Sequence, residues 1–386
     1  MALASDCSLP SEVVELLIEQ GLDALPELIR VIINATMQAE REQYLGAAPY
    51  ERTESRRGYA NGYKNKTVTT RVGRIVFEVP QTRDGGFYPQ ALEKGLRSER
   101  ALTMAMAEMY VQGVSTRKVA AITEQLCGVG LSSMQVSRAA AQLDDALSAW
   151  RDREIGVCPY VYFDARYEKV REAGHVRDAA VLIAKGVNAE GKRSILGVSI
   201  GLGEHEPHWR QFMQSLVARG LSGVQLFICD DHAGLKAARL AVFGGVPWQR
   251  CQFHLQQNAS AYVPRLDMKA DVARDIRDVF NATSRTEADE RLKQLIAKYA
   301  ESAPRLASWL ESDLHEGLTV FDFPEGHRRL IRTTNGLERL NREIRRRTRV
   351  VGIFPNPNSC LRLVTAVAAE LSDEWESGRL YLTFTT

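Results

Sequence analysis

This sequence predicts an α/β fold: a mixed β-sheet split by a helical insertion and preceded by a mainly helical N-terminal region. Three observations lead there. Apolar and β-branched runs of strand length cluster between residues 157 and 253 and alternate with amphipathic segments. From 254 to about 321 the apolar spacing is helical, with Pro264 and Pro304 as punctuation. Ahead of both, residues 11–45 and 101–150 carry helical spacing as well.

The chain has 386 residues, enough for two or three domains and a sizeable core. Hydrophobic residues at 45% and charged residues at 25% are globular proportions and exclude a disordered or fibrous chain. Formal net charge is only +2, so affinity for a polyanion has to come from local clusters. The cysteines at 7, 127, 158, 229, 251 and 360 form no disulfide framework and suit a reducing cytoplasm. No apolar run reaches membrane-spanning length and no signal-type core opens the chain, so no membrane partner is expected.

Residues 1–50 read as helices, with Leu25, Leu28, Ile29 and Ile32 on one apolar stripe that suits either a core or a dimer contact. Residues 51–97 change character. Arg57, Lys64 and Lys66 stand there among other basic residues, interleaved with Tyr59, Tyr63, Phe77, Phe87 and Tyr88. Residues 67–80 look extended and broken at Gly73; a solvated hairpin and a DNA-backbone contact both fit. Residues 98–150 carry a helix-turn-helix pattern. Ser115 and Thr116 cap one helix, Gly128 and Gly130 make the turn, and Ser132 with Gln135 opens the next. Val136, Ala139, Ala140 and Leu143 face inward, which leaves Ser133, Gln135, Ser137 and Arg138 where a recognition helix meets DNA.

Residues 151–154 mark a boundary, after which the strands begin. Residues 157–163 form the first and end at Asp164; 179–187 and 193–200 form a hairpin; 208–219 is helical. The wholly apolar run 224–229, as expected of a strand buried on both faces, ends at Asp230; a helix over 234–243 and a fifth strand over 246–253 follow. Three strands, a helix, a strand, a helix and a strand is the ribonuclease-H-like order, in which the first and fourth strands are adjacent. Asp164 and Asp230, 66 residues apart, then become neighbours. Two such carboxylates repel unless a cation lies between them, and hard oxygen ligands favour Mg²⁺ or Mn²⁺. Either aspartate alone is as well explained by a turn or a cap.

A third carboxylate comes from residues 333–349. Leu337, Leu340 and Ile344 make one apolar stripe of a helix, while Glu338, Asn341, Arg342 and Arg345 make a polar one. A lone acid at the head of a guanidinium row suits a metal ion beside a nucleic-acid backbone. Asn335 with Glu338 also reads as a helix cap, worth about 1 kcal/mol. Paired with the two aspartates, Glu338 completes a set able to hold two ions, which in two-metal sites lie about 3.5–4 Å apart. Cys251 and His254 form half of a zinc pattern, with Cys229 or His232 as the further ligands it would need.

With these stretches the sequence resembles the bacterial Mutator-type insertion-sequence transposases, which carry a DDE triad. The matching residues run through 57–62, 80–89, 163–167 with Arg171, 230–236, 249–254 and 334–355. The resemblance implies Asp164, Asp230 and Glu338 as the catalytic, metal-holding triad, with Asp231 a rival for the second place. It implies active-site support from Cys251, His254, Tyr167, Arg171, Asn335 and Asn341, and a catalytic domain over 155–254 and 326–386 split by a helical insertion over 255–325. DNA contacts are expected from Arg57, Lys64, Lys66, Ser133, Gln135, Ser137, Arg138, Arg342, Arg345, Arg346 and Arg347. The implied partners are terminal inverted repeats, target DNA and at least one second copy of the chain, in the bacterial nucleoid. A non-catalytic DNA-binding regulator and a structure-specific nuclease of the same fold are the alternatives.

Overall fold

The computed structural model describes residues 11–95 and 97–384. They fall into two compact units that divide between Gln142 and Leu143.

The first unit opens with α1 (Ser11–Gln20) and α2 (Leu25–Leu45). A hairpin follows, β1 (Ala60–Thr70) paired antiparallel with β2 (Gly73–Thr82). Its two-residue period turns Val68, Ile75, Phe77 and Val79 inward onto Met37 of α2. Then come α3 (Arg100–Val111), α4 (Thr116–Cys127) and α5 (Ser133–Ala141), packed through Leu102, Met106, Val119, Val136 and Ala139. Ser115 caps α4, Gly128 ends it at φ 62°, and Ser132 and Gln135 form the reciprocal capping box of α5.

In the second unit α6 (Asp144–Asp152) leads into β3 (Tyr160–Glu172), β4 (His175–Val187), β5 (Arg193–Gly201), α7 (Glu206–Ala218), β6 (Leu226–Cys229), α8 (Ala233–Phe243) and β7 (Trp248–Arg250). The helices α9 (Gln252–Ala259), α10 (Lys269–Phe280), α11 (Arg285–Tyr299), α12 (Pro304–Asp313) and α13 (Glu325–Ile331) intervene before α14 (Glu338–Val351) and α15 (Pro357–Ser377). The strands make one mixed sheet in the order β5-β4-β3-β6-β7, with β3–β6 and β6–β7 parallel and the other pairs antiparallel. Trp209 and Phe212 of α7 cover one face, against Phe163 and Phe227, whose rings stack 4.5 Å apart. Helix α6, which the sequence groups with the helix-turn-helix, belongs to this unit; Arg362 of α15 grips Asp144 with two bonds of 2.6 Å.

Three strand boundaries differ from expectation. Asp164 does not end β3, because β4 continues the ladder as far as Glu172 opposite His175. What ends near Asp164 is the pairing with β6, whose last partners are Tyr162 and Ile228. Strand β4 begins at His175, its first residues exposed and polar enough to read as loop. Strand β7 stops at Arg250, because the Gln252 N–H turns to the Arg332 carbonyl and α9 starts.

One buried charge sits in the sheet. Lys185 of β4 is fully buried, its Nζ 3.6 Å from the centre of the Tyr162 ring and 4.9 Å from that of Tyr381, with no hydrogen-bond partner among the described residues. Burial, and then nearby Arg193, push its amine down to about 7. Below that pH the fold must bury an ammonium; above it the native state is neutral while the unfolded chain still binds the proton. Stability from this group therefore rises with pH from about 7 to ~10. Lys185→Met is expected to stabilise the protein most below pH 7, with a gain that fades towards pH 10. Urea unfolding of both proteins across that range checks this; a pH-independent difference contradicts it.

Candidate active site

A cleft of about 660 Å³ opens where β3 loses its β6 partner. Asp164 and Glu338 both line it, together with Asn341, Arg342 and Arg345, so the polar stripe of α14 faces a single cavity. The opposite stripe, Leu337, Leu340 and Ile344, is fully buried and sets the rotation of the helix. The cap alternative for Glu338 is not realised: neither Asn335 nor Glu338 caps a helix end with its side chain.

Asp164 accepts from Asn341 Nδ2 at 2.8 Å and from the Ala165 N–H at 2.9 Å. Burial raises its carboxyl to about 6, held back by the charge of His254 and the Asn341 bond; the charge of Asp230 pushes it further up. Asp230, one residue past β6, has its Oδ2 3.8 Å from His254 Nδ1, and its buried Oδ1 has no partner among the described residues. Asn341 Oδ1 is orphaned in the same way. Unpartnered oxygens beside a destabilised carboxylate are what a hard cation would satisfy, so this donor set fits Mg²⁺ or Mn²⁺.

A second acidic group brings Asp231, Asp313 and Glu316 within 4.8 Å of one another. It already holds its cations. Buried Arg250 reaches Asp313 and Glu316 at 2.9 Å and Asp231 at 3.3 Å, and Lys236 reaches Glu316 at 3.0 Å and Asp231 at 3.4 Å. Asp231 is thereby engaged in ion pairs, while Asp230 turns to His254.

Cys251 is fully buried and accepts from Thr334 N and Oγ1 at 3.4 Å each. Burial alone would raise the thiol, but the hydrogen bond and charge of His254 and the Thr334 donors outweigh it and lower the thiol. The Cys251 bond in turn carries His254 up to about 9. The zinc pattern is not completed: Cys229 Sγ accepts from Trp248 Nε1 at 3.1 Å, and His232 faces Glu204 at 3.8 Å.

Of the other expected support residues, Tyr167 and Asn335 line the cleft. Arg171 does not; it lies on the far part of β3 and reaches back to Gly174 O at the hairpin turn. The sequence reading missed Arg166, Phe253 and Thr334, which also line the cavity. Arg166 carries a legible signal, since alternation along a strand puts it on the same side as Asp164. Its guanidinium donates to the Asn341 carbonyl and pairs with Glu168 at 2.6 Å, fixing α14 against β3.

The expected DNA-contact residues divide. Arg342 and Arg345 face the cleft, and Arg346 pairs with Glu343 at 2.9 Å on the surface. Arg347 is 3% exposed and bonded to Glu370 at 2.7 Å, so its guanidinium serves packing between α14 and α15. Lys66 is likewise committed, to Tyr88 Oη at 2.8 Å and the Glu93 carbonyl at 2.7 Å, whereas Arg57 and Lys64 are exposed. On α5, Ser133, Gln135, Ser137 and Arg138 are all exposed, although Gln135 Oε1 is taken by the capping box. Gln135 and Arg138 share a cleft of about 720 Å³ with Lys94, Arg97 and Arg100, a basic surface contained in the first unit.

The chain is thus a mixed-sheet α/β protein with two carboxylates, Asp164 and Glu338, in a cleft also lined by arginines. The comparison with known proteins is specific: the description "Transposase, Mutator family" matches residues 9–378. The chain is 58% identical to the transposase for insertion sequence element IS406 of Burkholderia multivorans, covering 95% of each. It is 45% identical to the transposase for ISRM5 of Rhizobium meliloti, over 93% of this chain and 90% of that one. It is 38% identical to the transposase for IS256 in transposon Tn4001 of Staphylococcus aureus, over 98% of each. The chain belongs to the Mutator family of transposases. Among the described residues no helix is long and apolar enough to cross a membrane.

Proposed function

We propose that the chain is a DDE transposase: a ribonuclease-H-like catalytic unit preceded by a unit that binds the terminal inverted repeats of its insertion sequence. The observation that carries this reading is the meeting of Asp164 and Glu338 in one cleft with Arg342 and Arg345, with Asp230 reached through His254. Asp164, Asp230 and Glu338 would hold Mg²⁺ or Mn²⁺, which supplies Lewis-acid activation of a phosphodiester. Asn341 orients the Asp164 carboxylate. Arg342 and Arg345 bind non-bridging phosphate oxygens and hold the scissile group in the cleft. A water oxygen attacks phosphorus and the 3′ oxygen leaves as a hydroxyl; that hydroxyl then attacks phosphorus in another strand, forming a new phosphodiester as that strand's own 3′ oxygen leaves as a hydroxyl. Exposed Gln135, Arg138, Lys94, Arg97 and Arg100 form the repeat-binding surface of the first unit. Pairing two element ends requires at least two chains; of the stripe expected for that contact, Leu28 is buried and Ile29 packs into the hairpin core, while Leu25 and Ile32 are exposed.

The test is a cleavage assay on duplex carrying the element's terminal repeats, with Mg²⁺ or with EDTA. Cutting at the repeat end in Mg²⁺ alone is expected. Binding without cutting would identify a regulator instead, and equal cutting of branched DNA without repeats a nuclease. Arg345→Ala is expected to weaken binding to cognate and random duplex alike and to make log affinity less steep in log salt by about 0.9. An unchanged slope would make this arginine a solvated helix face.

A further inference from the structure

We propose that a second cleft in the catalytic unit, behind the turn that enters α14, is a phosphate site for the DNA strand held at the carboxylates; this rests on the reading above. The cleft measures about 380 Å³ and is lined by Arg329, Arg332, Thr333, Asn335, Gly336 and Tyr381. Asn335 lines the carboxylate cleft as well, so the two cavities meet at that residue. A backbone threaded through one reaches the other.

The charge balance points to an anion. Among the described residues no carboxylate lines the second cleft. Neighbouring Arg328 is used up on the carbonyls of Thr283, Phe321 and Phe323. Arg329 has no hydrogen-bond or ion-pair partner among the described residues, and Arg332 has only the neutral Asn281 Oδ1, at 3.0 Å. Burial, and then the charge of Arg329, lower the Arg332 guanidinium. Arg329 and Arg332 also line a further cleft with Glu325, one carboxylate against two guanidinium groups, and a bound anion relieves the charge left over. Their planar forks match phosphate. Thr333 Oγ1 accepts from the Asn335 N–H at 3.4 Å, which leaves its proton to donate outward.

A buried amine lies behind the wall. A Cβ on Gly336 would collide with Lys185 Nζ, so only glycine backbone separates that amine from the cleft. Lys185 is fully buried and its Nζ has no hydrogen-bond partner among the described residues. Below about pH 7, where this amine is protonated, its field adds to that of the two arginines without contact to the ligand.

The test uses the full chain, wild type and Arg329→Ala/Arg332→Ala, titrated with a fluorescent random-sequence duplex across a salt series. Each phosphate contact removed should make log affinity less steep in log salt by about 0.9. The double variant should therefore lose about twice that, and Arg329→Ala alone, at an exposed position, about half of the double loss. Lysine at both positions should restore most of the slope. In Mg²⁺, repeat-end cleavage by the double variant should show a raised KM. A wild-type slope in both variants overturns the proposal, whether or not thermal stability falls with the Arg332–Asn281 bond. Failure of the wild type to cleave in Mg²⁺ would instead strike the transposase reading, and the slope measurement would still decide on the cleft.

Discussion

Asp164→Asn is expected to abolish repeat-end cleavage and strand transfer while leaving DNA affinity nearly intact. The same holds for Asp230→Asn and Glu338→Gln. Each change removes ligand charge from a site where Lewis-acid stabilisation is worth several kcal/mol; ~4 kcal/mol is about a thousandfold in rate. None removes a helix cap, because Glu338 caps nothing with its side chain. For Asp164 the stability effect has the opposite sign to the activity effect. Its carboxyl is raised to about 6, so the native state loses stability as pH climbs from about 4 through 6 and the buried group ionises. In metal-free buffer at pH 7, Asp164→Asn should therefore unfold at a higher temperature than wild type, with the difference vanishing near pH 4. Retention of more than about a tenth of wild-type cleavage by any one variant would remove that residue from the triad. A lower melting temperature for Asp164→Asn would show that the carboxylate contributes to the fold.

What could be read from the sequence was what has a period. The 3.6-residue repeat of residues 337–345 fixes which side of α14 is buried, and hence that Glu338, Asn341, Arg342 and Arg345 share the other side. The all-apolar run before Asp230 marks β6, and the order of elements anticipates its pairing with β3. Strand ends were less legible, because they depend on how far a partner continues. Strand β3 runs on past Asp164 since β4 keeps pairing with it, and β7 stops when a backbone N–H turns to Arg332. Side-chain allegiance was the hardest to see. Arg346 and Arg347 are indistinguishable in sequence, yet one is at the surface and the other is buried against Glu370 of a helix that follows later. Nothing local connects Arg250 with Asp313 and Glu316, which lie more than sixty residues further on.

That last group carries the largest expected effect on stability. Arg250 is 3% exposed and its Nη1 is shared by Asp231, Asp313 and Glu316. Arg250→Met would leave three carboxylates within 4.8 Å of one another, with only Lys236 to balance them. Removing one partner of a buried ion pair costs about 3–5 kcal/mol. The acids keep 18–27% of their side chains exposed, so screening places the expected loss near the lower end, about 3 kcal/mol. Two features would distinguish repulsion from lost packing. The deficit should shrink as added salt screens the repulsion, and Ca²⁺ should stabilise the variant more than wild type, since the vacated position then has three oxygen donors. Because Asp231 adjoins Asp230, repeat-end cleavage should fall as well. Urea unfolding with and without Ca²⁺, at low and high salt, measures the loss and both features, and a cleavage assay measures the activity. A loss below about 1 kcal/mol that responds to neither salt nor Ca²⁺ would mean that the three acids are solvated independently and that Arg250 is not what holds them together.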